Sequence, residues 1–147
     1  DLYGEVPSEV AGKLFDNYSV NRLHLLEKVL GSLELYKQGQ IAFISATNEM
    51  FAASGAKPED TEEFINWSRA LGSVKVAVFF KEAPDGYIKV SLRAKGECDV
   101  SQVASKYGGG GHRNAVGYRV KDRTMAEARD ELLQELKRRL KSRWSAE

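Results

Sequence analysis

The residues with the clearest capacity for chemistry lie in the stretch "SKYGGGGHRNAVGYRV", which runs from Ser105 to Val120. Four consecutive glycines, Gly108, Gly109, Gly110 and Gly111, come directly before His112 and Arg113. Glycine loses more backbone freedom on folding than any other residue, so such a run needs a sharp turn or a close approach to something else. Glycine also permits positive φ and removes side-chain bulk, so successive N–H groups can form an anion-binding concavity. His112 and Arg113 add two donors suited to phosphate. A helix C-cap followed by a loop would need only one such glycine, and the His-Arg continuation favours a ligand-contacting loop. No "GK[ST]" follows, so this is not a Walker A loop. A dinucleotide fingerprint needs a strand before the glycines and a helix after, and the order here is the reverse.

A second candidate is "YIKVSLRAK", from Tyr87 to Lys95. Ile88, Val90 and Leu92 alternate on one face, which puts Tyr87, Lys89, Ser91 and Arg93 on the other. Two cations and a hydroxyl in a row could face a phosphate. Periodicity by itself favours the plainer reading, a solvated face of an antiparallel strand. Asn66 and Arg69 read as an exposed helix face, and Glu82 as surface. His24 sits among leucines as a half-packed surface residue. Cys98 has no histidine nearby in sequence and is not a nucleophile candidate. With two histidines and no carboxylate-histidine pattern, a two-metal hydrolase centre cannot be assembled from this chain.

The elements that must position these residues follow from periodicity and caps. A short helix is expected from Ser8 to Phe15. A longer one follows, with Leu23, Leu26, Leu30 and Leu33 inward and Gly39 as its stop. A strand is expected over Gln40 to Thr47, then a helical turn around Glu49 to Ser54. Asp60 with Glu63 has capping-box spacing and predicts a helix burying Phe64, Trp67 and Leu71. The alternation on both sides of "PDG" predicts a β-hairpin. Asp99, with Gln102 at the box position, starts a short helix that the glycines end. "NAVGYRV" is a further strand. Thr124 and Glu127 cap a last helix that buries Ala128, Leu132, Leu136 and Leu140. The fold class is α/β: a small mixed sheet with a central hairpin flanked by helices, preceded by an N-terminal linker helix.

At 147 residues, 42% hydrophobic and 29% charged, the composition is that of one ordinary globular domain. Net charge is +1, so attraction for anions must be local. The single cysteine excludes an intrachain disulfide and fits a reducing, cytoplasmic setting. The longest apolar runs are too short to span a bilayer. The chain begins at Asp1 and is expected to be a piece of something longer.

These residues carry a resemblance. "SLRAKGECDVSQVASKYGGGGHRNAVGYRV" resembles the C-terminal substrate-binding domain of the DHH phosphoesterases, in the branch of bifunctional oligoribonuclease/pAp phosphatases. That branch carries an "SLRS" strand, a "GGGGH" segment and a trailing helix. Here Ala94 replaces the usual serine and Val116 a usual alanine. The resemblance implies a division of the chain into 1–38, the end of a catalytic domain with its linker helix, and 39–147, the substrate-binding domain. It implies that Arg93, Gly108 to Gly111, His112 and Arg113 hold the terminal phosphate and nucleotide of a short RNA or pAp, assisted by Ser91 and Asn66. It places a manganese centre in an N-terminal domain absent from this sequence, with no cofactor and no catalytic residue in this chain. The partners it implies are the substrate, that N-terminal domain of the same parent protein and, as a further arrangement, a second copy; no membrane is implied. Two alternatives stand beside it: an RNA-binding or oligomerisation module like the C-terminal domains of alanyl-tRNA synthetases, and the substrate domain of a cyclic-dinucleotide phosphodiesterase. A third reading makes the glycine run a packing device only.

Overall fold

The computed structural model describes residues 18–96 and 98–140. The helix expected over Ser8 to Phe15 lies outside them. Among the described residues the elements are α1 (Val20–Gly31), β1 (Glu34–Tyr36), β2 (Ile41–Ala46), α2 (Asn48–Ser54), a 3-10 turn (Pro58–Thr61), α3 (Ile65–Arg69), β3 (Val76–Glu82), β4 (Ile88–Ala94), α4 (Ser101–Lys106), β5 (Gly110–His112), β6 (Ala115–Val120) and α5 (Met125–Arg139). The strands form one six-stranded sheet in the order β1-β2-β3-β4-β6-β5. β2 and β3 are parallel, and the other pairings are antiparallel. This is the expected mixed α/β architecture with its central β3–β4 hairpin. No helix among the described residues is long and apolar enough to cross a membrane.

Two cores lie on opposite faces of this sheet. On one face, Phe43, Val78, Phe80, Val90, Leu92 and Tyr118 meet α4 and the apolar stripe of α5. Ala128, Leu132, Leu136 and Leu140 are all buried there, as their helical spacing predicts. Thr124 and Glu127 form the expected reciprocal cap. On the other face, Leu25, Leu26 and Val29 of α1 pack with Phe64 and Ile65 over Ala42, Ile44, Ala77 and Phe79. This second core includes no residue of β4, β5 or β6. The apolar packing therefore stops at β3; α3 reaches the edge of β4, and beyond it on this face β6 and β5 belong to neither that core nor its cover.

Three local expectations are corrected. α1 ends at Gly31, and the chain turns through Ser32 into β1, so Leu33 is outside the helix and Leu23 is exposed. Its buried stripe is Leu25, Leu26 and Val29, while Gly39 belongs to the β1–β2 turn, where Lys37 and Gln38 also have positive φ. The Asp60 carboxylate accepts from the Lys57 amide and caps a 3-10 turn rather than a long helix. Positive φ at Glu63 then breaks the chain before α3, which buries Phe64 but leaves Leu71 exposed. Gln102 makes no capping box; its side chain accepts from Arg139.

α4 and α5 are joined by a buried charge. The Glu135 side chain is 4% exposed and accepts from Lys106 of α4 and from Arg138 and Arg139 of its own helix. Burial pushes this carboxyl up, but the hydrogen bonds from Arg138, Lys106 and Arg139 outweigh it and hold the group down at about 2. Its folded value lies below its ordinary 4.5. The stabilisation is therefore complete above that ordinary value and lost as pH falls toward the folded one. Glu135→Gln is expected to cost about 2–3 kcal/mol at pH 7. In urea melts that difference should shrink progressively below pH 4.5; a difference constant with pH would contradict the assignment.

Candidate functional site

The β4-β6-β5 half-sheet gathers the candidate residues by register. Arg93 pairs with Ala115, and Ala115 with His112, so Arg93 and His112 stand on one face in a single row across β4, β6 and β5. Ser91 pairs with Gly117, and Gly117 with Gly110, which makes the next row. Lys89 and Arg119 pair in the row after that. Opposite side-chain parity puts Leu92, Val90, Val116 and Tyr118 into the core behind. Val116 therefore packs beneath the strand, on the side away from these rows.

The glycine run is not the loop of free amides that the sequence suggests. The Gly108 amide donates to Ser105 O and the Gly109 amide to Ala104 O, at 3.1 and 2.8 Å. Both close the end of α4. Gly110 and Gly111 then begin β5, an edge strand hydrogen-bonded to β6 through the two-residue turn Arg113–Asn114. Only the outer side of such a strand leaves backbone groups unpaired. The turn is pinned from below: Asn114 Nδ2 donates to Cys98 O at 2.7 Å, and Arg113 O accepts from the Val100 amide at 2.9 Å.

Three of the four glycines have internal reasons. Gly108 has φ +82°, a conformation L side chains rarely adopt. A Cβ on Gly109 would lie 2.1 Å from Gly117 O, and one on Gly111 2.5 Å from Ala115 O. Gly110 differs: no heavy atom lies within 4 Å of where its Cβ would stand, and its φ is unremarkable. Its missing side chain leaves bare backbone on the open face, beside Gly117 and Ser91.

A groove of about 470 Å³ lies at the Ser91 and Lys89 rows, lined among others by Tyr87, Lys89, Ser91, Gly109, Gly117 and Arg119, with Arg93, Gly110 and His112 outside its lining. Ser91 and Arg93 are half-buried, and His112 is exposed. Arg93 Nη1 donates to Leu92 O at 3.0 Å, which holds one edge of the guanidinium, and among the described residues its other donors have no hydrogen-bond partner. Gly108 and Gly109 form the groove's wall. Arg113 sits in the β5–β6 turn, outside the groove; burial pushes the Cys98 thiol's pKa up, and the charges of Lys75 and Arg113 draw it down. Asn66 is exposed on α3, which lies beside β4, and no hydrogen bond joins its side chain to the Arg93 row. The structure thus brings Ser91, Arg93, Gly110 and His112 together, with Gly108 and Gly109 beside them. Gly111 serves the strand packing, and Arg113 and Asn66 stand apart. Arg119 was missed by the sequence reading, because its place beside Lys89 depends on the β4–β6 pairing.

A larger groove of about 1110 Å³ lies along α5, lined by Lys106, Lys121 and Arg138 but also by Asp130, Glu131 and Glu135. Some of its charges pair with one another, as in Lys106–Glu135, Arg138–Glu135 and Arg123–Glu131. Lys37 and Lys137 line it as well as Lys121, so its surface keeps a positive excess, but it holds none of the residues of the Arg93 and Ser91 rows. Among the described residues no group of three His, Cys, Asp or Glu side chains could hold a metal ion, so no metal-dependent step is assigned to these residues.

In comparison with known families, the DHHA1 domain model matches residues 48–142, from the start of α2 past the end of α5. The chain belongs to the DHHA1 family. It is an associated domain of the DHH-family phosphoesterases. This DHHA1 chain is 32% identical over 82 residues to the bifunctional oligoribonuclease and PAP phosphatase NrnA of Thermus thermophilus, covering 56% of this chain and 25% of that protein. It is 29% identical over 107 residues to the cyclic-di-AMP phosphodiesterase PdeA of Listeria monocytogenes, covering 72% of this chain and 15% of that one. The crystal structure of an exopolyphosphatase-related protein from Bacteroides fragilis superposes with a TM-score of 0.77 at 32% identity, covering 89% of this chain and 38% of that chain. The DHHA1 chain therefore spans well under half the length of each of these relatives.

Proposed function

We propose that this domain holds the phosphorylated end of a short oligoribonucleotide or of pAp on its β4-β6-β5 half-sheet, and presents it to a catalytic domain of the same parent protein. The observation that carries this reading is the grouping of Arg93, Ser91 and His112 around Gly110 on the face where the helical cover stops. Arg93 supplies a charge-assisted fork for a phosphate, Ser91 a hydroxyl and His112 a ring donor. Flat backbone at Gly110 and Gly117 lets a sugar or phosphate lie close to the strand. Such contacts hold an end and a few nucleotides in place without reading bases. The names of the NrnA and PdeA relatives, enzymes of oligoribonucleotide, PAP and cyclic dinucleotide hydrolysis, favour the same ligand class. The manganese-dependent hydrolysis that the resemblance implies belongs in this proposal to the other domain, in a cytoplasmic protein. No step of the reaction is assigned to this chain.

Calorimetric titration with AMP and with adenosine tests the reading. AMP is expected to bind at least tenfold more tightly than adenosine, because the phosphate supplies the charge-assisted contacts. Equal affinities, or no AMP binding at millimolar concentration, would contradict it.

A further inference from the structure

Beyond the Arg93 row, the same half-sheet carries a line of like charges. Lys81 pairs with Lys89 across β3 and β4, and Lys89 pairs with Arg119 across β4 and β6. Three cations therefore stand directly opposite one another on adjacent strands, with Lys89 and Arg119 exposed and Lys81 half-buried at the border of the second core's cover. Like charges in such positions destabilise a sheet. Among the described residues, no carboxylate comes within ion-pair distance of any of the three. Glu82, the nearest acid along β3, spends an oxygen on the Asn48 amide, and Glu59 and Glu62 act on Lys81 only at longer range. Lys81 Nζ has a single long hydrogen bond, to Thr61 Oγ1 at 3.3 Å. Burial and the neighbouring Lys89 charge both lower its pKa. Arg119 is held in place by the Tyr87 ring, its guanidinium carbon 4.4 Å from the ring centre.

We propose that the Lys81–Lys89–Arg119 row is a second phosphate subsite, which takes an internal phosphate of a short single strand whose terminal phosphate lies on the Arg93–His112 row. This deepens the proposed function and rests on it. The geometry sets the length. Arg93 and Lys89 are four positions apart on one strand, so the two rows are separated by about 13 Å at the antiparallel rise. Two internucleotide steps of an extended strand cover that span, with the bare Gly110–Gly117 row between. A mononucleotide reaches one row only, whereas a 5′-phosphorylated trinucleotide reaches both. The like-charge repulsion that the fold tolerates is relieved when the second phosphate arrives.

The test is calorimetric titration of the 147-residue chain with pA and pApApA, on wild type, K89Q/R119Q and Arg93→Ala. In wild type, pApApA is expected to bind about tenfold more tightly than pA, with a salt slope steeper by about 0.7 for each added phosphate contact. K89Q/R119Q should cost pApApA about tenfold and pA less than threefold, and should flatten that slope; Arg93→Ala should weaken both ligands. Equal wild-type affinities for pA and pApApA, or a trinucleotide gain that survives K89Q/R119Q, would overturn the second subsite and leave the terminal-phosphate reading intact. Binding of pApApA that depends on Lys89 and Arg119 but not on Arg93, with no binding of pA, would overturn the terminal-phosphate reading instead. Binding of neither ligand would overturn both.

Discussion

Gly109→Ala is expected to destabilise the domain by about 3 kcal/mol or more, while Gly110→Ala leaves stability within about 0.5 kcal/mol of wild type. The residues are adjacent and chemically identical, and their surroundings differ. A methyl group on Gly109 would meet Gly117 O at 2.1 Å and Tyr118 Cβ at 2.5 Å, so β6 would have to move. β6 cannot move freely: its Tyr118 stacks on Tyr107 at the end of α4, ring centres 4.7 Å apart, and the other edge of the strand is bonded to β4. A methyl group on Gly110 would meet nothing within 4 Å and would need no unusual φ. It would stand on the open face beside Gly117 and Ser91 instead, and is expected to weaken AMP binding about tenfold by holding the ligand off the strand. Urea melts and titrations of the two variants check both halves. Equal stability losses would show that the run is a packing device throughout. Intact AMP binding in Gly110→Ala would remove Gly110 from the site.

The second large effect is expected at Arg93. Arg93→Ala should reduce affinity for AMP by about 30- to 100-fold, the loss of a charge-assisted fork on phosphate, with a melting midpoint close to that of wild type. Stability is spared because, among the described residues, the side chain makes one hydrogen bond, to the carbonyl of its own neighbour Leu92, and lies on the face outside both cores. Arg93→Lys should recover only part of the affinity, since an ammonium cannot reproduce the bidentate geometry. Full recovery by lysine would mean that the site senses charge alone. A falling midpoint in Arg93→Ala would make the residue a structural one.

The parts of this fold that were legible in the sequence are those specified locally. The β3–β4 hairpin announced itself by alternation around "PDG", and α5 by the Thr124–Glu127 box and its four-residue apolar stripe. Alternation also put Ser91 and Arg93 on one face. β1 and β5 were not legible, because a three-residue strand shows no period and β5 is made of two glycines and a histidine. Reading β5 as a loop gave the amides of Gly108 and Gly109 to a ligand, when α4 already uses them. The α1 stripe was drawn through Leu23, Leu30 and Leu33 because leucines recur at helical spacing across a boundary that Gly31 and Ser32 impose. Above all, His112 and Arg119 reach Arg93 and Lys89 only through the order β4-β6-β5. That order is set by pairing between distant segments, and no local pattern encodes it.

What the structure changes about the four glycines is the reason for each. One turns the chain out of α4, two let β5 lie against β6, and the remaining one leaves the open face bare beside Gly117 and Ser91. The claim that this face receives a phosphate is tested most directly by backbone amide chemical shifts during titration with AMP. The account predicts shifts concentrated at Ser91, Arg93, Gly110 and His112, absent with adenosine and abolished by Arg93→Ala. Shifts centred on Lys106, Lys121 and Arg138 in the groove along α5, or no phosphate-dependent shifts on the β4-β6-β5 half-sheet, would contradict it.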